Sequence, residues 1–531
     1  MTQPKDEKKL GIALIAILCL TLILVIITGQ LQPEKVTEVV PSSEDIISEP
    51  VDNGKEFAGE ETPIEGEVVT SAVDKVELVP EGNTAPILIF EAETGETSGT
   101  ELTTATSGYS GDGYVTSFTD EDDHLVIPIH IDQEQMYQLT IGYRASGGYK
   151  ESELYVNDEP FGKVIFEESS VFTEAKVTRL FLTAGDNTIT IRRGWGYFDI
   201  DYVALQSIDI ADLAAAPITE QLSNSNATPE AVQLMEYMND HVGKYLLSGQ
   251  QNYTHIIDIE NMTGKRPAIV GFDFIEYSPT RAANGSRSSE VESAIAWHKQ
   301  GGIVSFLWHW NAPTGLINEP GKEWWRGFYS DSVTFNLTDA LADKNSEQYQ
   351  LLLSDMDVIA EKIKILKIND IPILFRPLHE ADGGWFWWGA SGPEAAVELY
   401  RIMYDRFVNV HELNNLIWVW NSVSPSWYPG DDVVDIVSYD SYPVAGDHSA
   451  ISSYYDKLVE LTNGTKYIAM MENGSIPDPN AMVQYGANWG LFITWNGDFL
   501  MDGKHNSKDF LNKVYNDPRV ITLEDLPFKQ Q

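Results

Sequence analysis

The chain predicts an α/β protein: a (β/α)₈ barrel over its last 300 or so residues, preceded by a β-sandwich of jelly-roll type. Three observations carry this. After residue 228, strand-like apolar runs alternate with amphipathic helical stretches eight times over. Between residues 85 and 209 the runs are short, alternate in polarity and are separated by Gly- and Asp-rich turns, with no helical period. The 531 residues exceed one ordinary domain and suffice for a barrel of about 250 residues plus a smaller module.

The elements follow in order. Residues 1–9 hold Lys5, Lys8 and Lys9, and Leu10–Thr28 is an uninterrupted apolar run of 19 residues. That length spans a bilayer, and the positive flank keeps the N-terminus in the cytoplasm, so 10–28 reads as a transmembrane signal anchor on the cell membrane with the rest of the chain extracellular. A cleaved signal peptide, and hence secretion, is the alternative, but Val25–Gly29 is a poor cleavage site. The single cysteine, Cys19, lies in this run, which excludes an intramolecular disulfide and a thiolate metal cluster. Residues 29–84 form an acidic linker, with 14 Asp and Glu against 3 Lys from residue 30 onward, a composition that buries no core and repels itself into an extended stalk.

Within the β-rich segment 85–209, strands are expected at Ile87–Phe90, His124–Ile129, Tyr137–Ile141 and Asn187–Ile191. Residues 210–227, small and polar from Ala214 onward, are a second linker. In 228–531, strands are expected at Tyr245–Gln250, Ala268–Phe274, Ile303–Trp310, Ile371–Arg376, Leu416–Asn421, Ile436–Tyr442, Tyr467–Glu472 and Leu491–Trp495. Helices are expected among others at Ser289–Lys299, Gln348–Lys367, Pro393–Asn409 and Ser452–Thr462. An open α/β sheet would fit the same alternation. The polar strand ends favour the barrel, whose catalytic residues gather at the C-terminal ends of its strands.

The formal charge is −45, from 35 Lys and Arg against 80 Asp and Glu. Such a field argues against a nucleic-acid partner and against anionic membrane surfaces, and leaves a neutral polymer such as a polysaccharide as the easier ligand. Charge alone names no substrate, because acid also serves solubility.

Two apolar strands end in glutamate: Ile371–Arg376 runs on through Pro377-Leu378-His379 to Glu380, and Tyr467–Met471 meets Glu472. A charge directly after a buried strand is costly unless it is paired or used. Paired carboxylates are what glycoside cleavage requires, one as acid and one as nucleophile or base. The structural alternative is an ion pair, with Arg376 as the obvious partner. The loop after Glu380 carries Trp385-Phe386-Trp387-Trp388, and 13 of the 14 tryptophans follow residue 226. Trp418 and Trp420, inside a strand, are expected in the core, whereas Trp385 and Trp495 are candidates for stacking on sugar rings.

His309 in WHWNAP, the run FRPLHEADGGWFWWG, SYDSYP at Ser438–Pro443 and MENGS at Met471–Ser475 resemble the family 26 glycoside hydrolases, especially their β-mannanases, from about Thr228 to the C-terminus. The resemblance implies a retaining endo-β-1,4-mannanase acting on mannan or galactomannan, with Glu380 as acid/base and Glu472 as nucleophile. It further implies that His309 and His379 surround the −1 sugar, that Tyr442 hydrogen-bonds the nucleophile beside Asp440, and that Trp385 and Trp495 line subsites. No cofactor is expected for this chemistry. Relatives acting on mixed-linkage β-glucan or β-1,3-xylan supply the alternative substrates, and a non-catalytic surface glycan-binding protein is the alternative of another class.

The β-rich segment is similar to the family 35 carbohydrate-binding modules through Phe90–Glu93, Gly108–Val115 and Phe198–Val203. That resemblance implies a structural Ca²⁺ for which Glu91, Glu93 and Asp201 offer hard oxygen ligands. Trp195 and Tyr197, in a Gly-rich loop, are candidate sugar platforms. Nothing in the sequence calls for more than a monomer.

Overall fold

The computed structural model describes residues 85–209, 218–219 and 221–528. The apolar run Leu10–Thr28, the acidic stretch 29–84 and residues 210–217 of the second linker lie outside the described residues. Among the described residues no helix is long and apolar enough to cross a membrane.

Eight parallel strands close into a barrel: β1 (Gly249–Gln251), β2 (Ile269–Asp273), β3 (Ile303–Leu307), β4 (Ile373–Arg376), β5 (Leu416–Asn421), β6 (Ile436–Ser441), β7 (Tyr467–Asn473) and β8 (Phe492–Thr494). All eight match expected strands, because buried parallel strands are continuous apolar runs that stand out between polar helices. Inside and around the barrel, Phe274 lies on Phe306 at 4.0 Å between ring centroids, and Trp418 and Trp420 are fully buried, as expected.

The bounds shift at the ends. The run expected as Tyr245–Gln250 is two pieces: Leu246–Leu247 pairs with Val520–Ile521, and only Gly249–Gln251 enters the barrel. The third strand stops at Leu307, so Trp308, His309 and Trp310 belong to the loop above it. The helix at Ser452–Thr462 has the expected bounds, and that at Pro393–Asp405 runs on into a wide turn over Arg406–Val410. The longest helix among the described residues, Glu347–Ile368, begins where the Ser346 side chain accepts the Tyr349 N–H, a hydrogen-bonded N-cap.

The β-rich module is two antiparallel sheets packed face to face. One orders Glu101–Thr103, Tyr114–Thr116, Asp199–Ser207, Gln135–Ala145 and Ser169–Leu182, with Ile87–Glu91 also on Asp199–Ser207. The other orders Glu96–Ser98, His124–Ile131, Gly185–Trp195, Lys150–Val156 and Glu159–Phe166. Alternation supplies the core between them, for instance Leu125, Ile127 and Ile129 inward, with Pro128 and His130 outward.

The strand Ser169–Leu182 is a sheet edge, and the barrel covers it. It packs on the helices Ser452–Thr462 and Pro479–Tyr485, Arg179 forms an ion pair with Asp456, and Phe161 meets Tyr485 at 5.8 Å. Covering an edge strand blocks pairing with other chains.

Candidate active site

The C-terminal ends of β2 through β8 converge on one set of polar side chains. Arg376, the last residue of β4, is 1% exposed, and its guanidinium pairs with Asp440 from β6 and Glu472 from β7. Asp440 and Glu472 are register partners across adjacent strands, which places their carboxylates side by side. Tyr442 donates its hydroxyl to the other oxygen of Glu472 at 2.5 Å. Both oxygens of Glu472 therefore accept hydrogen bonds, an arrangement that suits a charged carboxylate. The ion pair considered as the alternative to catalysis is present, and it holds Glu472 without occupying Glu380.

Glu380 reaches the same point by a strained route. Leu378 and Glu380 both adopt left-handed backbone, with φ of 51° and 52°. Non-glycine residues hold that conformation only where surroundings impose it, commonly at functional sites. Here Asn421, at the end of β5, accepts the Glu380 N–H at 2.8 Å and donates to Asp440 at 2.8 Å, tying the two acidic residues to one amide. The Trp385 indole donates to Glu380 Oε2 at 3.0 Å. Its ring lies against Gly383, where a Cβ would fall 2.0 Å from the ring carbons, so the loop needs glycine there.

Carboxylate oxygens of Glu380, Asp440 and Glu472 lie within 4.8 Å of one another. Three acids share one arginine, so they cannot all ionise cheaply. Withdrawal from water and the charges of Glu472 and Asp440 push the Glu380 carboxyl well above the usual range, against Arg376 and the Trp385 N–H. Burial pushes Asp440 up to about 7, with Arg376 and Asn421 opposing it and Glu472 adding to it. The arrangement is thus one acid kept protonated beside one carboxylate held charged. Carboxyl groups about 5–5.5 Å apart correspond to cleavage with retention, wider pairs to inversion. The grouping could also ligate a cation, but Arg376 already supplies the positive charge between two of its members.

The histidines form a line leading away from this point. His309 Nδ1 meets Asp273 Oδ2 at 2.6 Å, and His309 Nε2 meets His379 Nε2 at 3.2 Å. With the His309 Nδ1–H donating a hydrogen bond to Asp273, the His309 Nε2 accepts one from the Nε2–H of His379, whose own Nδ1 is buried without a protein partner. Burial, helped by Arg376, holds His379 well below the usual histidine range, hence neutral. His309 and His379 are therefore brought side by side. Asp273 and Asn421 were not singled out, although Asp273 ends an apolar strand just as Glu472 does, a signal that could have found it.

The aromatic loop divides. Trp387 and Trp388 are at most 1% exposed, and their indoles donate to the carbonyls of Trp310 and His379, so they are scaffold. Trp385 is half-buried beside Glu380. Trp495 is 2% exposed and lies edge-on to His309 at 6.2 Å.

In the module, Trp195 and Tyr197 are 49% and 64% exposed, and Tyr149 lies 5.1 Å from Trp195, widening the apolar face. Glu91, Glu93 and Asp201 gather around the turn Ser110–Asp112: Ser110 Oγ donates to Glu91 at 2.7 Å, Ser110 N to Asp201 at 3.0 Å, and Asp112 N to Glu93 at 2.5 Å. Burial, with Glu91 and Glu93 nearby, pushes Asp201 up to about 6, and Glu93 Oε2 is buried with no partner. These are hard-oxygen groups of the kind that bind Ca²⁺, although the three do not bring one oxygen each within 4.8 Å of one another as Glu380, Asp440 and Glu472 do.

Comparison with known proteins adds the following. The sequence pattern of Glycosyl hydrolase family 26 matches residues 223–525, and that of Carbohydrate binding module (family 35) matches 88–208. A mannan endo-1,4-beta-mannosidase of Thermothelomyces thermophilus is 40% identical over 440 residues, 82% of this chain and 90% of that one. Mannan endo-1,4-beta-mannosidase B of Piromyces sp. is 34% identical, over 82% of this chain and 77% of its own. The crystal structure of a Podospora anserina GH26-CBM35 beta-(1,4)-mannanase superposes with a TM-score of 0.61 at 40% identity, covering 84% of this chain and 99% of that one.

Proposed function

The chain belongs to glycosyl hydrolase family 26, and from that premise we propose that Glu380 and Glu472 carry out the cleavage of β-1,4-mannan. The protein is an endo-β-1,4-mannanase, a retaining glycoside hydrolase with a carbohydrate-binding module. The observation that carries the assignment of roles is the pair of carboxyl groups with an oxygen of each within 4.8 Å, one raised well above its ordinary pKa and the other hydrogen-bonded on both oxygens.

In the first step a Glu472 oxygen attacks the anomeric carbon, the glycosidic C–O bond breaks, and Glu380 gives its proton to the departing oxygen. In the second, Glu380 takes a proton from water, the water oxygen attacks the same carbon, and the bond to Glu472 breaks. Two inversions give net retention. Arg376 and Tyr442 keep Glu472 charged and aimed, and Asn421 holds Glu380 in its left-handed turn. His379 and His309 would face the sugar beside the nucleophile, and Trp385 and Trp495 would bound neighbouring subsites.

For the module, the exposed face of Trp195 and Tyr197 supports sugar binding, and the acids around Ser110–Asp112 support a structural Ca²⁺. Sequence alone supports attachment to the cell membrane through Leu10–Thr28, with a monomeric catalytic part outside.

The test is product analysis on linear mannan, galactomannan and mixed-linkage glucan, with Glu472→Ala in parallel. Mannooligosaccharides from the parent and a loss of at least about 10³-fold in the variant are expected. Products from glucan alone would overturn the substrate, and undiminished activity in Glu472→Ala would overturn the nucleophile.

A further inference from the structure

A cleft of about 620 Å³ lies where the module meets the barrel, within the roughly 300–1,000 Å³ of ligand sites. Phe161 and Lys163 line it from the module, and Val444, His448, Tyr454 and Tyr485 from the barrel.

Its position ties it to the catalytic centre. The wall segment starting at Val444 follows Tyr442, whose hydroxyl bonds Glu472, after a single proline. Gly446 N–H donates to Ser475 Oγ at 3.2 Å, fastening that loop to the segment just past Glu472. The barrel wall of the cleft is therefore the loop that follows β6 at the C-terminal end of the barrel. On its far side, Lys163 pairs with Glu151 at 3.2 Å, and Glu151 is the register partner of Trp195. The wall thus adjoins the exposed aromatic face of the module.

Its chemistry is that of a neutral sugar polymer: apolar ring surface from Phe161 and Tyr485, a 65% exposed Val444, and interspersed polar groups, with Lys163 already paired to an acid. We propose that this cleft is a distal subsite holding the same mannan chain that the active site cleaves, so that module and barrel bind one chain together. The inference rests on the mannanase reading.

The experiment compares kcat/KM of the full chain on short mannooligosaccharides and on linear mannan. Two variants accompany the parent: Phe161→Ala, which removes one wall, and Ala445→Trp, which fills the cleft from an exposed loop position. Both are expected to lower kcat/KM on the polymer by about tenfold while leaving short substrates within twofold, the worth of one lost ring contact. Unchanged polymer-to-oligomer ratios in both folded variants would overturn the subsite while leaving the mannanase intact. A loss in Phe161→Ala alone would also overturn it, since that outcome reports loosened domain packing. A parent inactive on every mannan would overturn the function and the subsite together.

Discussion

Replacing Asp273 by asparagine changes one atom at the head of a line of three side chains. Two backbone N–H groups, those of Ile275 at 2.8 Å and His309 at 3.1 Å, donate to Asp273 Oδ1, and the His309 ring donates to Oδ2. Asparagine keeps the first oxygen and so both backbone bonds. Its amide replaces the second oxygen and donates to His309 Nδ1, which forces the His309 proton onto Nε2. His379 must then accept at Nε2 and carry its proton on Nδ1, the buried atom with no protein partner. What is lost is one charge-assisted hydrogen bond and the correct tautomer of two histidines, worth about 1.5–3 kcal/mol, or roughly 10–150-fold in rate. The assay is kcat/KM on linear mannan across pH for the parent, Asp273→Asn and Asp273→Ala, with thermal unfolding of each. Asp273→Asn should lose about 10–100-fold with a fall of a few degrees in unfolding temperature, whereas Asp273→Ala should lose more stability, having dropped both backbone bonds as well. Activity of Asp273→Asn within twofold of the parent at every pH would refute the reasoning.

Two further expectations follow from the titrating groups. Glu380 must be protonated for the first step and its pKa is raised, so kcat/KM should fall on the alkaline side with a midpoint well above the usual carboxylate range; a midpoint near 4.5, the ordinary glutamate value, would contradict the assignment. Burial pushes Asp355, whose side chain accepts the Trp310 indole at 2.8 Å, up to about 7. The native state therefore holds a proton that the unfolded chain releases near pH 4, so this group lowers stability as pH rises from about 4 to 7. Asp355→Asn should gain about 4 kcal/mol on the parent between pH 4 and pH 8 in denaturant titrations, and a pH-independent difference would place the charge elsewhere.

Local pattern was enough for much of this protein. The eight barrel strands are legible because each is a buried run between polar helices, and Glu380 and Glu472 because each follows such a run where a charge is costly unless used. His309, His379 and Tyr442 came instead from the resemblance of their motifs to the family. Other features depend on which strands become neighbours. Arg376 holds Glu472 from 96 residues away, Asn421 holds Glu380 from 41, and Asp273 holds His309 from 36. The four aromatics after Glu380 look alike in sequence, yet burial leaves Trp385 at the site and turns Trp387 and Trp388 into scaffold. The raised pKa of Glu380 is decided the same way, since it depends on burial and on the charges of Glu472 and Asp440, which come from other strands. Periodicity and polarity are local properties of the chain, and they marked the alternating strands and helices and the two strand-end glutamates, whose roles came from the resemblance of their motifs. Hydrogen-bond partnership, charge crowding and the cleft between module and barrel depend on distances between remote segments, and only the tertiary structure decided those.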